Sequence, residues 1–309
     1  MKKRILITGG SGFIGSRLVS DWLQQGHEVV VFSRRPQRLA GRHPALTAVD
    51  DLDQLQGSFD WLINLAGESI ADQRWSRTRK QQLRDSRIAV TEKLVSWAVA
   101  TGQRFERVLS GSAIGYYGGF ADDSQQPLLD ESAAPGNDFA AILCRDWEAA
   151  AQPLKPLADQ LVWLRTGVVL GPRGGMLGKL WLPFRSGLGG KLGCGKQVLS
   201  WIHLDDYVAA VHWLLQSDVQ GPVNMASPAA VTNAEFTRML SATLERPAWL
   251  PVPALPLRLA LGEMASLLLE GQRVSPMVLQ QMGFEWSYAE LDVALADLRQ
   301  RWSQKLAVV

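Results

Sequence analysis

Close to the start of the chain an aliphatic run, Ile5-Leu6-Ile7, passes directly into Thr8-Gly9-Gly10-Ser11-Gly12-Phe13-Ile14-Gly15. Leu18, Trp22 and Leu23 then continue at helical spacing from Ile14, and Gly26 stands where a C-capping glycine would. A strand, a glycine turn and a helix in that order open a dinucleotide-binding βαβ unit. Gly9 and Gly12 permit the tight turn and a close approach of backbone to a pyrophosphate, while Gly15 lets the helix pack on the strand. The helix start offers free N–H groups and a positive dipole end to the phosphates. A glycine pattern alone is a weak signal; the strand before it and the helix after it give it weight.

The rest of the first half repeats the same alternation. Short apolar runs at 4–8, 28–33, 61–65, 107–110 and 160–165 are separated by amphipathic stretches. Residues 80–101 read as one long helix with Leu83, Ile88, Leu94, Val95 and Val99 on one side. Strands alternating with helices predict an α/β fold, a Rossmann-like doubly wound parallel sheet covered on both faces. Beyond Arg165 the texture changes: 171–178 and 187–195 are glycine-rich, and 247–256 holds four prolines. Apolar residues continue through these segments, so they punctuate turns and loops and do not form a linker. The expected organisation is a dinucleotide-binding domain over 1–225 with a glycine-rich insertion at about 171–200, and a smaller, interleaved C-terminal lobe over 226–309.

The second expected strand bears on which dinucleotide is bound. A carboxylate about 20 residues beyond the turn would hold a free ribose 2′-hydroxyl. Here Val29-Val30-Val31-Phe32 ends in Ser33-Arg34-Arg35, with no acid at the tip. A hydroxyl and a guanidinium suit a 2′-phosphate through charge-assisted hydrogen bonds, so NADP(H) is the expected cofactor. The alternative is that both arginines are solvated loop charges.

Composition narrows the partners. The chain carries 32 basic and 30 acidic residues, interspersed, for a formal charge of +2. That balance gives no reason to expect nucleic acid or a membrane as partner. No apolar run approaches the roughly 18 residues of a membrane-spanning helix, and Ile5-Leu6-Ile7 is too short for a secretory leader. Cys144 and Cys194 form no paired motif, which points to a reducing, cytoplasmic setting. Four scattered histidines have no metal-ligand spacing, so no metal is expected. Twelve tryptophans against four tyrosines is an unusual balance, for which packing is the simplest account. A monomer or a homodimer is expected.

Several longer strings carry a family likeness. Asn64-Leu65-Ala66-Gly67, the segment from Leu164 to Pro172, Trp201-Ile202-His203-Leu204-Asp205-Asp206 and Gly221-Pro222-Val223-Asn224-Met225 resemble motifs of the extended short-chain dehydrogenases/reductases. NLAGESIADQRW at 64–75, SGSAIGYYG at 110–118, PFRSGLGG at 183–190 and GQRVSP at 271–276 resemble the atypical YfcH-like group, whose members are called epimerase family proteins and carry a C-terminal domain of unknown function. The likeness spans essentially the whole chain. It implies NADP contacts from Ser33, Arg34, Leu65, Ala66 and Arg87. The turn residues Gly9, Ser11, Gly12, Phe13, Ile14 and Gly15, together with Gly67, Ser110 and Val168, complete the expected cofactor set.

Typical members of the superfamily use a Tyr-x-x-x-Lys pair in which the lysine lowers the tyrosine pKa. Aligning on Glu148 puts Ala140 at the tyrosine position and Cys144 at the lysine position, so the usual acid/base pair is absent. Ser110, Ser112, Tyr116 and Tyr117 remain as a polar cluster on the expected fifth strand. Ser112 and Tyr116 are the candidate catalytic residues, although no cation adjoins either tyrosine in sequence. Cys144 on a helix reads as a small buried hydrophobe. His203, Asp205 and Asp206 read as scaffold, the acids suiting a helix start. Two functions stay open: an NADP(H)-dependent oxidoreductase or nucleotide-sugar epimerase acting on an unknown small molecule, and a non-catalytic NADP(H)-binding sensor or partner-binding module.

Overall fold

A computed structural model describes residues 1–122, 126–172 and 174–304. Of the segments singled out above, Arg173 in the glycine-rich stretch and residues 305–309 of the C-terminal lobe lie outside the described residues. The elements run β1 (Arg4–Thr8), α1 (Phe13–Gln24), β2 (Glu28–Phe32), β3 (Leu46–Val49), β4 (Trp61–Asn64), α2 (Arg77–Asp85), α3 (Ile88–Ala100), β5 (Phe105–Ala113), α4 (Phe139–Ala151) and β6 (Ala158–Thr166). They continue with β7 (Val168–Gly171), α5 (Gly175–Arg185), β8 (Val198–Leu199), β9 (Trp201–His203), α6 (Leu204–Gln216), β10 (Gly221–Met225) and β11 (Val231–Thr232). The chain closes with α7 (Asn233–Leu244), α8 (Ala254–Leu261), α9 (Ser266–Leu269), α10 (Met277–Gln281) and α11 (Leu291–Gln304).

Seven parallel strands form the main sheet in the order β10-β6-β5-β4-β1-β2-β3. Alternation along the strands assigns side chains to two cores. Ile5, Ile7, Val29, Val31 and Ile63 face α1 and α6, whereas Leu6, Val30, Leu62 and Val108 face α3. The strand order reverses between β1 and β4, since β1 pairs with β2 on one side and β4 on the other. A crevice opens at the carboxyl ends of strands at such a switch point, where ligands bind in doubly wound sheets.

Two sequence expectations need correction. Residues 80–101 are not one helix but α2 and α3, broken at Ser86-Arg87. The break turns the Ser86 hydroxyl to accept from the Glu68 amide (3.1 Å) and lets Arg87 donate to the Glu68 carbonyl (2.8 Å). Tertiary bonds to the 67–68 loop thus override a continuous apolar stripe. The edge strand β3 lay outside every expected run, because Leu46–Val49 is half exposed and carries no two-residue alternation.

The glycine-rich stretch after β7 is also more ordered than a loop, since Gly175 begins α5. A β-carbon on Gly174 would lie 2.2 Å from the Phe13 ring and one on Gly171 2.7 Å from it, so the glycines make room for the first side chain of α1. Leu177, Trp181 and Phe184 of α5 share a core with Phe236 and Leu240 of α7 and Leu291, Leu295 and Leu298 of α11. Asp206 fastens this lobe to the sheet by accepting from the Ser287 and Tyr288 amides, both at 2.9 Å. Asp205 does so through Arg301 at 2.6 Å. His203 Nδ1 in turn accepts from the Asp205 amide.

Candidate functional site

The switch-point crevice is lined by the turn after β1, the ends of β2 and β4, and the ends of β5 and β6. Gly9 has φ +70°, and a β-carbon there would fall 2.5 Å from the Leu65 carbonyl oxygen, so the turns after β1 and β4 touch backbone to backbone. A β-carbon on Gly15 would come within 2.2 Å of the Gly9 carbonyl, which already accepts from the Gly12 amide at 2.9 Å. The start of α1 has no side-chain cap and no acid in its first turn. Ser11 and Gly12 are exposed, and Phe13 and Ile14 half-buried. Such a terminus leaves amide hydrogens and the dipole for an anion.

Beneath the turn, Thr8 Oγ1 donates to Asn64 Oδ1 (2.7 Å) and accepts from the Ala66 amide (3.0 Å). Asn64 Nδ2 in turn reaches Thr91 Oγ1 (2.8 Å) and Ser110 Oγ (3.3 Å). This enclosed chain of hydroxyls and amide locks the ends of β1, β4 and β5 together. Ser110 therefore belongs to the floor of the crevice, its hydroxyl fully buried. Val168 starts β7, where its side chain packs against the lobe core.

At the tip of β2, Ser33 Oγ accepts from the Arg35 amide (3.2 Å), and Arg34 extends into solvent with its side chain 82% exposed. Arg34 Nη1 meets Glu68 Oε1 at 2.9 Å, and Arg79 Nη1 meets Glu68 Oε2 at 2.5 Å. Hydrogen bonds from these two guanidinium groups hold the Glu68 carboxyl below its ordinary range. Arg87 lies against Gly67, where a β-carbon would sit 3.0 Å from its Cζ, and its guanidinium is 5.3 Å from the Trp147 ring centroid. Neither Glu68 nor Arg79 was foreseen. Nothing in a single carboxylate after Gly67 marks it in sequence as a bridge between two arginines.

The other end of the crevice is built from side chains. Ser112 Oγ donates to Glu148 Oε1 at 2.6 Å. Arg165, buried on β6 beside Ser112, clasps Glu148 with Nε (2.9 Å) and Nη2 (3.0 Å). Burial opposes the charge on Arg165, but the hydrogen bonds and charge of Glu148 outweigh it and raise the guanidinium above its usual value. The same guanidinium lies 3.6 Å from the Tyr116 ring centroid and donates to Tyr117 Oη at 3.0 Å. The expectation of tyrosines without a neighbouring cation is thus corrected, because β6 brings Arg165 from 48 residues beyond Tyr117. Tyr117 is committed to packing: its hydroxyl donates to Asn224 Oδ1 (2.7 Å), and burial pushes the phenol up despite Arg165. Tyr116 is half-buried, and its hydroxyl has no hydrogen bond among the described residues.

Where the superfamily places tyrosine and lysine, this chain has a half-buried Ala140 and a buried Cys144. A β-carbon on Gly115 would meet Ala140 Cβ at 3.4 Å and Cys144 Sγ at 3.8 Å. The Cys144 thiol is buried, which pushes its pKa up to about 12 even though Arg87 pulls the other way. It is an inert packing group.

The fold and site define a short-chain dehydrogenase/reductase architecture, and comparison with known proteins agrees. The chain belongs to the NAD dependent epimerase/dehydratase family, whose profile matches residues 5–226; a domain of unknown function, DUF1731, matches residues 252–298. An epimerase family protein of Mycobacterium bovis is 39% identical over 301 residues, covering 94% of this chain and 96% of the relative. Human epimerase family protein SDR39U1 is 36% identical over 306 residues, 96% of this chain and 99% of its own. A crystal structure of the human protein (isoform 2), solved with NADPH, superposes with TM-score 0.87 at 34% identity over 96% of this chain and 99% of that one. UDP-glucuronic acid 4-epimerase from Bacillus cereus shares the fold with TM-score 0.77 at 17% identity, covering 98% and 99%.

Proposed function

We propose that this chain is an NADP(H)-dependent oxidoreductase or epimerase of a small molecule, with a proton-transfer end unlike that of its superfamily. The observation that carries the cofactor assignment is the turn after β1. Gly9 and Gly15 leave no room for a β-carbon, and they deliver an uncapped, acid-free helix start to the switch point. That geometry fits a pyrophosphate over the backbone of Ser11, Gly12, Phe13 and Ile14. Ser33 and Arg34 take the 2′-phosphate, for which Arg34 must leave the Glu68 carboxylate it meets at 2.9 Å. Leu65, Ala66 and Gly67 lie along the adenosine half, stiffened by Arg87 beneath Gly67, while Ser110 and Val168 support the floor and far wall. The human relative solved with NADPH supports the same dinucleotide here. The narrower YfcH-like grouping rests on the strings at 64–75, 110–118, 183–190 and 271–276.

When bound, the cofactor supplies or accepts hydride; the chain positions the substrate and handles the proton. Ser112 gives its own proton to Glu148, so its oxygen presents lone pairs to a substrate hydroxyl. Tyr116, its ring fixed by Arg165, is the proton donor with a free hydroxyl. Ala140 and the buried Cys144, standing at the tyrosine and lysine positions, favour a second reading, a non-catalytic NADP(H)-binding module, which predicts no turnover at all.

Identification of the nucleotide that co-purifies with the protein, followed by NADPH and NADH titrations, tests the cofactor. Arg34→Glu should weaken NADPH by about tenfold or more, as expected for a lost charge-assisted contact, and leave NADH nearly unchanged. Equal loss of both would refute the 2′-phosphate assignment. A screen of carbonyl compounds and nucleotide sugars with NADPH tests catalysis. Ser112→Ala and Tyr116→Phe should each lower turnover, and unchanged rates in both would remove those residues from the mechanism.

A further inference from the structure

Exposed large apolar side chains are not scattered over this molecule. Of eleven among the described residues, six fall between α5 and α8: Leu182, Leu188, Trp249, Leu250, Leu255 and Leu259. Backbone pairing brings them together, because the Leu250 amide donates to the Gly189 carbonyl and the Val252 amide to the Lys191 carbonyl. Helix α8 (ALPLRLAL) has no buried residue, and Leu255 and Leu259 project from it 67% and 71% exposed, one turn apart. Of the twelve tryptophans, eleven are buried or half-buried; Trp249 alone is exposed, at 84%. Single exposed leucines are ordinary, but a contiguous group beside an exposed indole marks a contact surface.

Basic residues predominate around this group. No Asp or Glu occurs from 174 to 204 or from 246 to 262, stretches that hold Lys179, Arg185, Lys191, Lys196, Arg246 and Arg258. Lys179 and Lys196 are paired with Asp72 and Asp122. Arg246 donates to the carbonyls of Arg185 and Glu245, with the Glu245 carboxylate nearby but bonded to Arg299. Of the flanking carboxylates, Glu245 is held by Arg299 and Glu263 by Lys80, while Glu270 lies against Gly119 and lines one groove with Glu263 and Arg258. Beside Trp249 runs a groove of about 560 Å³, lined by Lys191 and by one further cation, Arg238. The whole-chain charge of +2 averages over this face and conceals it.

We propose that this face docks on an anionic lipid surface, α8 and Trp249 entering the interfacial layer while Arg185, Lys191, Arg246 and Arg258 meet the headgroup phosphates. Protruding leucines with an interfacial tryptophan gain from burial at the acyl boundary, and surrounding cations gain from the negative surface potential. A second copy of the chain fits less well, since a two-fold contact would set these cations against their own images. The carboxyl-end crevice stays intact in this arrangement, so the inference is independent of the cofactor assignment.

Co-sedimentation of the protein with vesicles of phosphatidylcholine alone, or mixed equally with phosphatidylglycerol, tests it. The protein should pellet with the anionic vesicles, not with the neutral ones, and added salt should release it. Arg258→Glu and Arg185→Glu should each lose roughly fivefold or more in partitioning, on the basis of the contribution of one cation at such a surface. Leu255→Ser/Leu259→Ser should abolish pelleting at unchanged NADPH affinity and melting temperature. Equal pelleting with both vesicle types, or full retention in the double variant, would overturn the proposal. So would sedimentation equilibrium showing a wild-type dimer that Leu255→Ser/Leu259→Ser converts to monomer, because the face would then belong to a second copy.

Discussion

At the β1–α1 end of the crevice the fitted surface is main chain: Gly9 against the Leu65 carbonyl, Gly15 against the Gly9 carbonyl, and amides at the helix start. At the β5–β6 end the fitted surface is side chain: Ser112 on Glu148, Glu148 on Arg165, Arg165 on Tyr116 and Tyr117. The difference decides how each end can change. A backbone cradle rejects any added β-carbon, so its sequence is tightly constrained. A side-chain network can be rebuilt wholesale provided each buried group keeps a partner. Here the usual tyrosine and lysine positions have become Ala140 and a buried Cys144, and the polar chemistry has gathered around an arginine on β6, the next strand in sequence.

The sharpest way to break that contrast is at Arg165. Removing one partner of a buried ion pair leaves the other uncompensated, so Arg165→Met should cost about 3–5 kcal/mol in urea unfolding. Glu148→Leu/Arg165→Met should recover much of the loss, because no charge is left stranded. The folded fraction of either variant should bind NADPH as the parent does. Loss of binding in a stable Glu148→Leu/Arg165→Met protein would mean that the two ends are one unit. At the cradle, Gly15→Ala forces a β-carbon to within 2.2 Å of the Gly9 carbonyl. Overpacking of this kind costs about 1–3 kcal/mol, and the displaced turn should no longer hold NADPH. A Gly15→Ala protein with parental melting temperature and affinity would show that the turn is more plastic than its contacts imply.

The same contrast explains what could be seen in the sequence. Glycines with fixed spacing advertise a backbone path, and Ile5, Ile7, Val29 and Val31 advertise buried strands, so the doubly wound sheet was legible before any coordinates. Glu148 and Arg165 were noticed only as motif positions; that they grip one another depends on β6 lying beside β5. The helix break at Ser86-Arg87 was hidden for the same reason, as its cause is a loop 18 or 19 residues away. The pairing of Glu68 with Arg79 and the apolar, largely basic face around α8 likewise emerge only when distant segments meet. Local pattern reports backbone; tertiary pairing reports chemistry.

A third measurement probes the frame that holds both ends. His27, His203 and His212 each have a lowered pKa, in every case chiefly through burial. The folded protein therefore keeps them neutral while the unfolded chain still takes up protons near pH ~6.5. The unfolded state binds more protons in that window, so stability should rise with pH across it and fall as pH drops through about 6.5 towards 5. Melting temperature measured from pH 8 to pH 5 should decline, less steeply than three histidines alone would give. Burial also raises the Glu131, Asp206 and Glu270 carboxyls, which take up protons more readily folded than unfolded. A flat profile down to pH ~5 would show that the three rings protonate in place at no cost beyond what these carboxyls offset.

The smallest expected effect lies at Glu68, where the two kinds of construction meet. It follows the backbone-built Gly67 but holds two side chains, Arg34 and Arg79. On the proposed reading a 2′-phosphate claims Arg34, and Glu68 must release it, so the carboxylate competes with the ligand. Because Arg34 is largely exposed, the contest is fought in solvent, where such a pair is worth about 0–1 kcal/mol. Glu68→Gln should therefore tighten NADPH by about two- to fivefold, leave NADH unchanged, and flatten the difference at high salt. Weaker NADPH binding in Glu68→Gln would reverse the assignment: Glu68 would then be the group that orients Arg34 for the phosphate, and the cradle would depend on a side chain after all.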